Sequence, residues 1–236
     1  MPGYILHLTA AQMFLKNTKT GQSVAKNNKD QNDFLIGNLL PDTTKIKARS
    51  HFRDPKYHDH MVEYPETTWF LEKYQGILSN RSVLGYLFHL YIDRRFFKDY
   101  MPSIIEFQNK DGQAEVKRED VIYVKIKRNG EKVLKEDFFS EQYYYGDYTK
   151  MNTYLVNRYQ IPINLDPKVE NPGIEEVVYS DVEHVLQELK EYLKIPANAV
   201  EDVKVFQVEE LLGFLEKAVE EFDTYCNKKV ANITKI

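Results

Sequence analysis

At 236 residues the chain is long enough to bury a full core in a single domain spanning 1–236. A net charge of -4 argues against a role centred on nucleic-acid backbones, which calls for a clear positive excess, and the single cysteine, Cys226, excludes an internal disulfide or a thiolate metal cluster. No apolar run approaches the ~18–20 residues of a transmembrane helix, and Met1-Pro2-Gly3-Tyr4 shows no secretory leader, so the expected setting is cytoplasmic.

Between Tyr4 and Leu15 the apolar residues suit a largely buried helix, with His7 in its first half. Residues 17–30 are polar and read as a connection. A short helix over about 30–40 follows, carrying Phe34, Leu35, Ile36 and Leu39, and is expected to stop at Pro41, because proline drives its predecessor out of helical geometry. Asp42 then lies just past a helix end. Residues 45–64 read as loop and include His51 and the cluster Tyr57-His58-Asp59-His60. Pro65 to Thr68 reads as a helix start. Ser79 or Asn80 is placed to cap the next helix, which runs roughly to Tyr100. Its segment from Val83 to Phe97 is apolar almost all round, as in a helix at the centre of a bundle.

The middle third changes character. Val121 to Ile126 and the stretch after Asn129-Gly130 read as two strands joined by an Asn-Gly turn, so residues 111–140 are expected to form an inserted β-hairpin. Helix returns from Tyr148 to Tyr159, and Pro162, Pro167, Pro172 and Gly173 punctuate a long loop. Amphipathic helices over 181–193 and 208–226 complete a mostly α fold.

His89 and Asp93 are the sharpest chemical feature. Four apart on a helix, they share one face, and so polar a pair inside an apolar helix is costly without a partner or a metal. Gly85, one turn earlier, leaves room where a ligand needs it. His7, Asp42 and His51, each beside an apolar segment, complete a nitrogen and oxygen donor set suited to zinc or manganese. All five are expected to converge.

The stretches His7-Leu8-Thr9-Ala10-Ala11, Phe34-Leu35-Ile36-Gly37-Asn38-Leu39-Leu40-Pro41-Asp42, Ser50-His51-Phe52, and Gly85 through His89 to Asp93 resemble the bacterial zinc-dependent phospholipase C family over roughly residues 1–100. That resemblance implies a helical bundle of the phospholipase C/nuclease type. In it Asp42, His51, His89 and Asp93 would hold one zinc, and Asp93 would bridge to a second ion bound by His7. It further implies hydrolysis of a phosphoester, in a small molecule or a lipid head group, with Asp42 orienting or deprotonating the attacking water. The family's third metal uses a further histidine and an HxxxE step. His184 with Glu188 has that spacing, Asp147 is a substitute acid or a helix N-cap, and two ions are the expectation. The basic residues near the donors in sequence are Lys45, Lys47, Arg49, Arg94 and Arg95, and any of them is placed to neutralise phosphate charge.

Three other readings stay open. His58-Asp59 is the dipeptide of HD-type phosphohydrolases, and Gly37-Asn38-Leu39-Leu40 after an N-terminal His-Leu resembles acyl carrier protein phosphodiesterases. A helical scaffold that keeps a metal site without turnover is the third.

Overall fold

A helix that is apolar on every side must be enclosed by others, and α1 (Tyr4–Asn17) is: Ile5 through Leu15 are all buried. The computed structural model describes residues 3–229 and shows a mostly helical chain with one small antiparallel sheet. The polar segment after Asn17 is not a plain connection. It contains α2 (Lys19–Val24), which exists because the Thr18 hydroxyl caps it by accepting from the Gly21 N–H. Next comes α3 (Asn28–Leu39), capped by the Asn27 side chain on the Asp30 N–H. Pro41 does not push its predecessor out of the helix: Leu40 has φ -54° and ψ -42°. α3 instead passes into a 3-10 turn, Leu40–Asp42, with Pro41 in its opening positions. There proline gives up only a donor that a first turn leaves unused.

The stretch expected as loop holds α4 (Lys47–Ser50) and a 3-10 turn, Pro55–Tyr57, before α5 (Thr67–Tyr74). α6 (Arg81–Arg95) starts where the sequence places it, with the Asn80 side chain accepting from the Ser82 and Val83 N–H groups. It packs on α3 backbone to backbone. A Cβ on Gly37 would lie 2.0 Å from the Ser82 carbonyl oxygen, and one on Gly85 would lie 2.0 Å from that of Phe34. Gly85 therefore serves the helix contact and opens no space for a ligand. Beyond α6 the chain widens into a π-helical turn, Phe96–Tyr100, ahead of α7 (Met101–Ile104). Pro102 has no N–H to continue the α-helical ladder, which accounts for the change of register.

The expected hairpin lies within a larger sheet. β1 (Ile105–Gln108), β2 (Tyr123–Ile126) and β3 (Lys132–Leu134) pair antiparallel in that order, with Ile105 opposite Ile126 and Tyr123 opposite Leu134. The Asn129-Gly130 turn joins β2 to β3, with Gly130 at φ 74°, a left-handed value that favours glycine. The β2–β3 hairpin lies inside the expected 111–140 segment. A first strand precedes it, and after Leu134 the chain turns into α8 (Lys135–Phe138).

Three longer helices follow: α9 (Tyr144–Tyr159), α10 (Val182–Glu191) and α11 (Val208–Lys229). Between α9 and α10 the proline-punctuated loop is pinned by Glu176, which accepts from the Tyr74 hydroxyl at 2.5 Å and from Lys73 at 2.6 Å. Phe14, Phe34, Phe88 and Phe222, from α1, α3, α6 and α11, pack with ring centroids 4.9–5.6 Å apart. Each buried phenyl contributes roughly 1.5–3 kcal/mol. No described helix is long and apolar enough to cross a membrane.

Candidate metal centre

Five side chains meet at one end of the α1–α3–α6 contact. α1 carries His7, the 3-10 turn after α3 carries Asp42, the residue closing α4 is His51, and α6 carries His89 and Asp93. Helical periodicity puts His89 and Asp93 on one face. His51 reaches them because α4 is only one turn long and Phe52 next takes a left-handed φ of 50°, turning the chain away. All five are buried, Asp42 at 7 % exposure and the other four at 0 %.

The donor atoms face one another. His51 Nε2 is 3.2 Å from His89 Nε2, 3.3 Å from Asp93 Oδ2 and 3.4 Å from Asp42 Oδ1. His7 Nε2 is 3.2 Å from Asp93 Oδ1, yet this contact is not aligned as a hydrogen bond. His89 Nε2 lies 3.8 Å from Asp93 Oδ2 and 3.9 Å from Asp42 Oδ2, and its ring stacks on that of His7 at 3.8 Å between centroids. Two triads, His7–His89–Asp93 and Asp42–His51–His89, each offer atoms within 4.8 Å of one another and can hold a metal ion.

Tautomers follow from the outer contacts. His89 Nδ1 is 2.8 Å from the Asn38 carbonyl oxygen and His51 Nδ1 is 3.1 Å from that of Lys47. A carbonyl only accepts, so both Nδ1 atoms carry the hydrogen, and in the neutral rings both Nε2 atoms present lone pairs. Two lone pairs at 3.2 Å repel unless a proton or a cation lies between them. His7 has no such anchor. Neither of its ring nitrogens, nor either oxygen of Asp93, has a hydrogen-bond partner among the described residues, although all four atoms are buried. A carboxylate left without donors in the interior is strongly unfavourable, and a shared cation removes the penalty.

The separations match what a metal requires. Donors at about 2.0–2.1 Å from a tetrahedral ion lie roughly 3.3 Å apart, which is the spacing around His51. A histidine nitrogen offers one lone pair whereas a carboxylate offers two oxygens. Asp93 turns Oδ2 towards His51 and Oδ1 towards His7, and His89 is common to both triads.

Charge supports the same picture. Burial pushes the Asp42 carboxyl up, but the facing His51 and His89 rings and the Lys47 ammonium outweigh it and hold the group well below the usual carboxylate range. At Asp93 burial is likewise outweighed by His51 and His7, and that carboxyl is also held down. Burial, reinforced by the neighbouring His7, lowers His89 to about 3, so its ring is neutral at physiological pH. Burial would lower His51 as well, but the adjacent Asp42 and Asp93 carboxylates outweigh it and raise it.

One wall of the cluster opens on a cavity of about 380 Å³ lined by Asp42 and Lys47 with Tyr4, Tyr145, Tyr148 and Tyr192. Asp42 is the one member of the cluster on that wall.

Several expected residues lie elsewhere. The His184 side chain is 77 % exposed and pairs only with Glu188, at 3.3 Å, on the surface of α10. Asp147 is neither a ligand nor an N-cap. It sits within the first turn of α9, buried, and accepts from the backbone N–H groups of Lys204, Val205 and Phe206 at 2.6–3.2 Å, fixing the approach to α11. His58 and Asp59 belong to neither donor triad, and His58 Nδ1 bonds to the Pro55 carbonyl. Of the basic residues, Arg49 is held by the Glu175 carbonyl, Arg94 by Glu66 and Arg95 by Asp99 and Glu221. Lys47 alone among them lines the cavity. The tyrosines of the cavity wall were not identified from the sequence. Their placement on one wall is set by tertiary packing, which spacing along the chain does not mark. No family model, curated protein or solved structure matches the chain.

Proposed function

We propose that this chain is a metal-dependent phosphoester hydrolase that binds two divalent ions through His7, Asp42, His51, His89 and Asp93. The reading rests on one observation: three imidazoles and two carboxylates converge in the interior with facing lone pairs and with both Asp93 oxygens unpartnered among the described residues. Nitrogen and oxygen donors without sulfur suit zinc first and manganese second. When bound, such ions supply Lewis-acid polarisation of a phosphoryl oxygen and bring a water's pKa towards neutrality.

The chain's own residues do the rest. The Asn38 and Lys47 carbonyls hold the His89 and His51 rings with Nε2 inward, so the donors are oriented in advance. Asp42 stands between the cluster and the cavity and is held ionised, which suits it to ligate an ion and to orient the attacking water by accepting its hydrogen bond. The resemblance of the first hundred residues to the zinc-dependent phospholipase C family supports the same chemistry.

Elemental analysis of purified protein, followed by a chromogenic assay with bis(p-nitrophenyl) phosphate and p-nitrophenyl phosphate, tests the reading. Two equivalents of zinc or manganese and chelator-sensitive turnover are expected. Bound metal without turnover on a broad phosphoester panel would favour a scaffold that keeps a metal site. Absence of bound metal after reconstitution rejects both.

A further inference from the structure

We propose that the cavity beside Asp42 is a phosphomonoester pocket in which Lys47 is the phosphate-recognising cation, and that it takes small, water-soluble substrates rather than lipids held in a bilayer. This assignment rests on the hydrolase reading and deepens it. Lys47 Nζ donates to the Asp42 carbonyl oxygen at 2.6 Å and to Asp42 Oδ1 at 2.7 Å. An ammonium has three hydrogens, so a third donor remains, and the side chain is 28 % exposed on the cavity wall. Among the described residues lining the cavity it is the sole cation. Glu141 is the one anion there besides Asp42, and the Thr149 hydroxyl lies 3.4 Å from one of its oxygens.

The remaining wall is mostly tyrosine ring surface with a few polar groups, and two of its hydroxyls are already engaged, Tyr148 donating to Tyr144 and Tyr4 to the Asp42 carbonyl. Tyr145, Tyr148 and Tyr192 carry hydroxyls, and Asn152 brings an amide that is 8 % exposed and hydrogen-bonds to no described residue. A volume of about 380 Å³ walled largely by tyrosine rings fits a phosphate with a compact aromatic leaving group. An acyl chain would need an apolar trough. An apolar cavity of about 410 Å³ lined by Phe97, Met101, Phe107 and Val116 shares no lining residue with this one. The small cavity between them is lined by the Arg53–Glu63 and Arg118–Glu63 ion pairs, which a hydrocarbon chain would have to cross. A monoester carries up to two negative charges where a diester carries one. A free ammonium donor beside the cluster therefore discriminates in favour of the monoester.

The test compares metal-loaded wild type with Lys47→Met and Lys47→Arg. Inorganic phosphate affinity is read by calorimetry, metal content by elemental analysis, and KM and kcat with p-nitrophenyl phosphate, its bis ester and phosphatidylcholine vesicles. Wild type is expected to prefer the monoester and to ignore the vesicles. Lys47→Met should keep its metal, bind phosphate about tenfold to hundredfold more weakly and raise KM for the monoester by a similar factor, the loss of one hydrogen bond to a charged group. Lys47→Arg should restore most of the phosphate affinity. The assignment is overturned by unchanged phosphate affinity in Lys47→Met, by equal losses on mono- and diester, or by preferred turnover of vesicles. Loss of metal in Lys47→Met also overturns it, because Lys47 would then only position Asp42. Turnover of neither ester by a metal-loaded wild type would instead reject the hydrolase reading, while phosphate affinity would still report on the pocket.

Discussion

Replacing Asp93 by asparagine separates a metal centre from a merely hydrogen-bonded core. The change is nearly isosteric, but it removes the charge and the second strong donor oxygen from the residue that faces both His51 and His7. Changing a partner outside the coordination shell already costs about 10–100-fold in metal affinity, so a direct ligand should cost at least the upper value. At a free zinc concentration of 100 Kd, wild type gains about 2.7 kcal/mol of stability; a protein binding 100-fold more weakly gains about 0.4 kcal/mol. The difference of about 2.3 kcal/mol corresponds to about 5–9 °C in Tm for a chain of this size. Differential scanning calorimetry with and without zinc measures it. Wild type should shift upward on zinc addition and Asp93→Asn barely at all, with fewer than two equivalents bound. Were the cluster only structural, zinc would shift neither protein, and Asp93→Asn would lose about 3–5 kcal/mol with or without metal, as breaking a buried ionic network does. That outcome would refute the metal centre.

Other expectations follow from the same geometry. His89→Ala should abolish metal binding, whereas alanine at His58 or Asp59 should leave metal content unchanged; the reverse pattern, read by elemental analysis, would favour the HD-type arrangement. Asp147→Ala should cost about 2–4 kcal/mol in urea unfolding, through its lost charge-assisted bonds to the 204–206 backbone, with metal stoichiometry intact. The metal-free protein should lose stability as pH rises above about 6.5. His51 has a raised folded-state pKa, so its contribution is complete below the unfolded value and vanishes as pH passes through the folded one. Metal binding gains over the same range because the proton no longer competes, so the Tm gap between loaded and stripped protein should widen from pH 6.5 to 8. A constant or narrowing gap would count against His51 as a ligand.

The sequence carried the donor set further than it carried the connections. His89 and Asp93 stand out because helical spacing and apolar neighbours are local facts, and His7, Asp42 and His51 could be marked by the same contrast of a polar residue beside a buried segment. What escaped depended on distant partners. β1 has its pairing strand across a long loop, and Asp147 finds its donors 57 residues further on at Lys204. α2 is a single capped stretch too short for periodicity to reveal, and the π turn is a consequence of Pro102 on a helix otherwise continuous in pattern. The choice of Lys47 among five basic residues is set by tertiary placement, since spacing along the chain treats them alike.

The glycine contact between α3 and α6 also bears on which ions the site accepts. With Gly37 and Gly85 letting the two backbones touch, the Asn38 carbonyl cannot withdraw from His89, and the donor spacing cannot easily expand. Calcium prefers six to eight oxygens at about 2.3–2.6 Å and would need a wider, more yielding shell. Were the cluster to hold an ion, discrimination against this larger competitor would trace to two missing methyl groups on the helix interface.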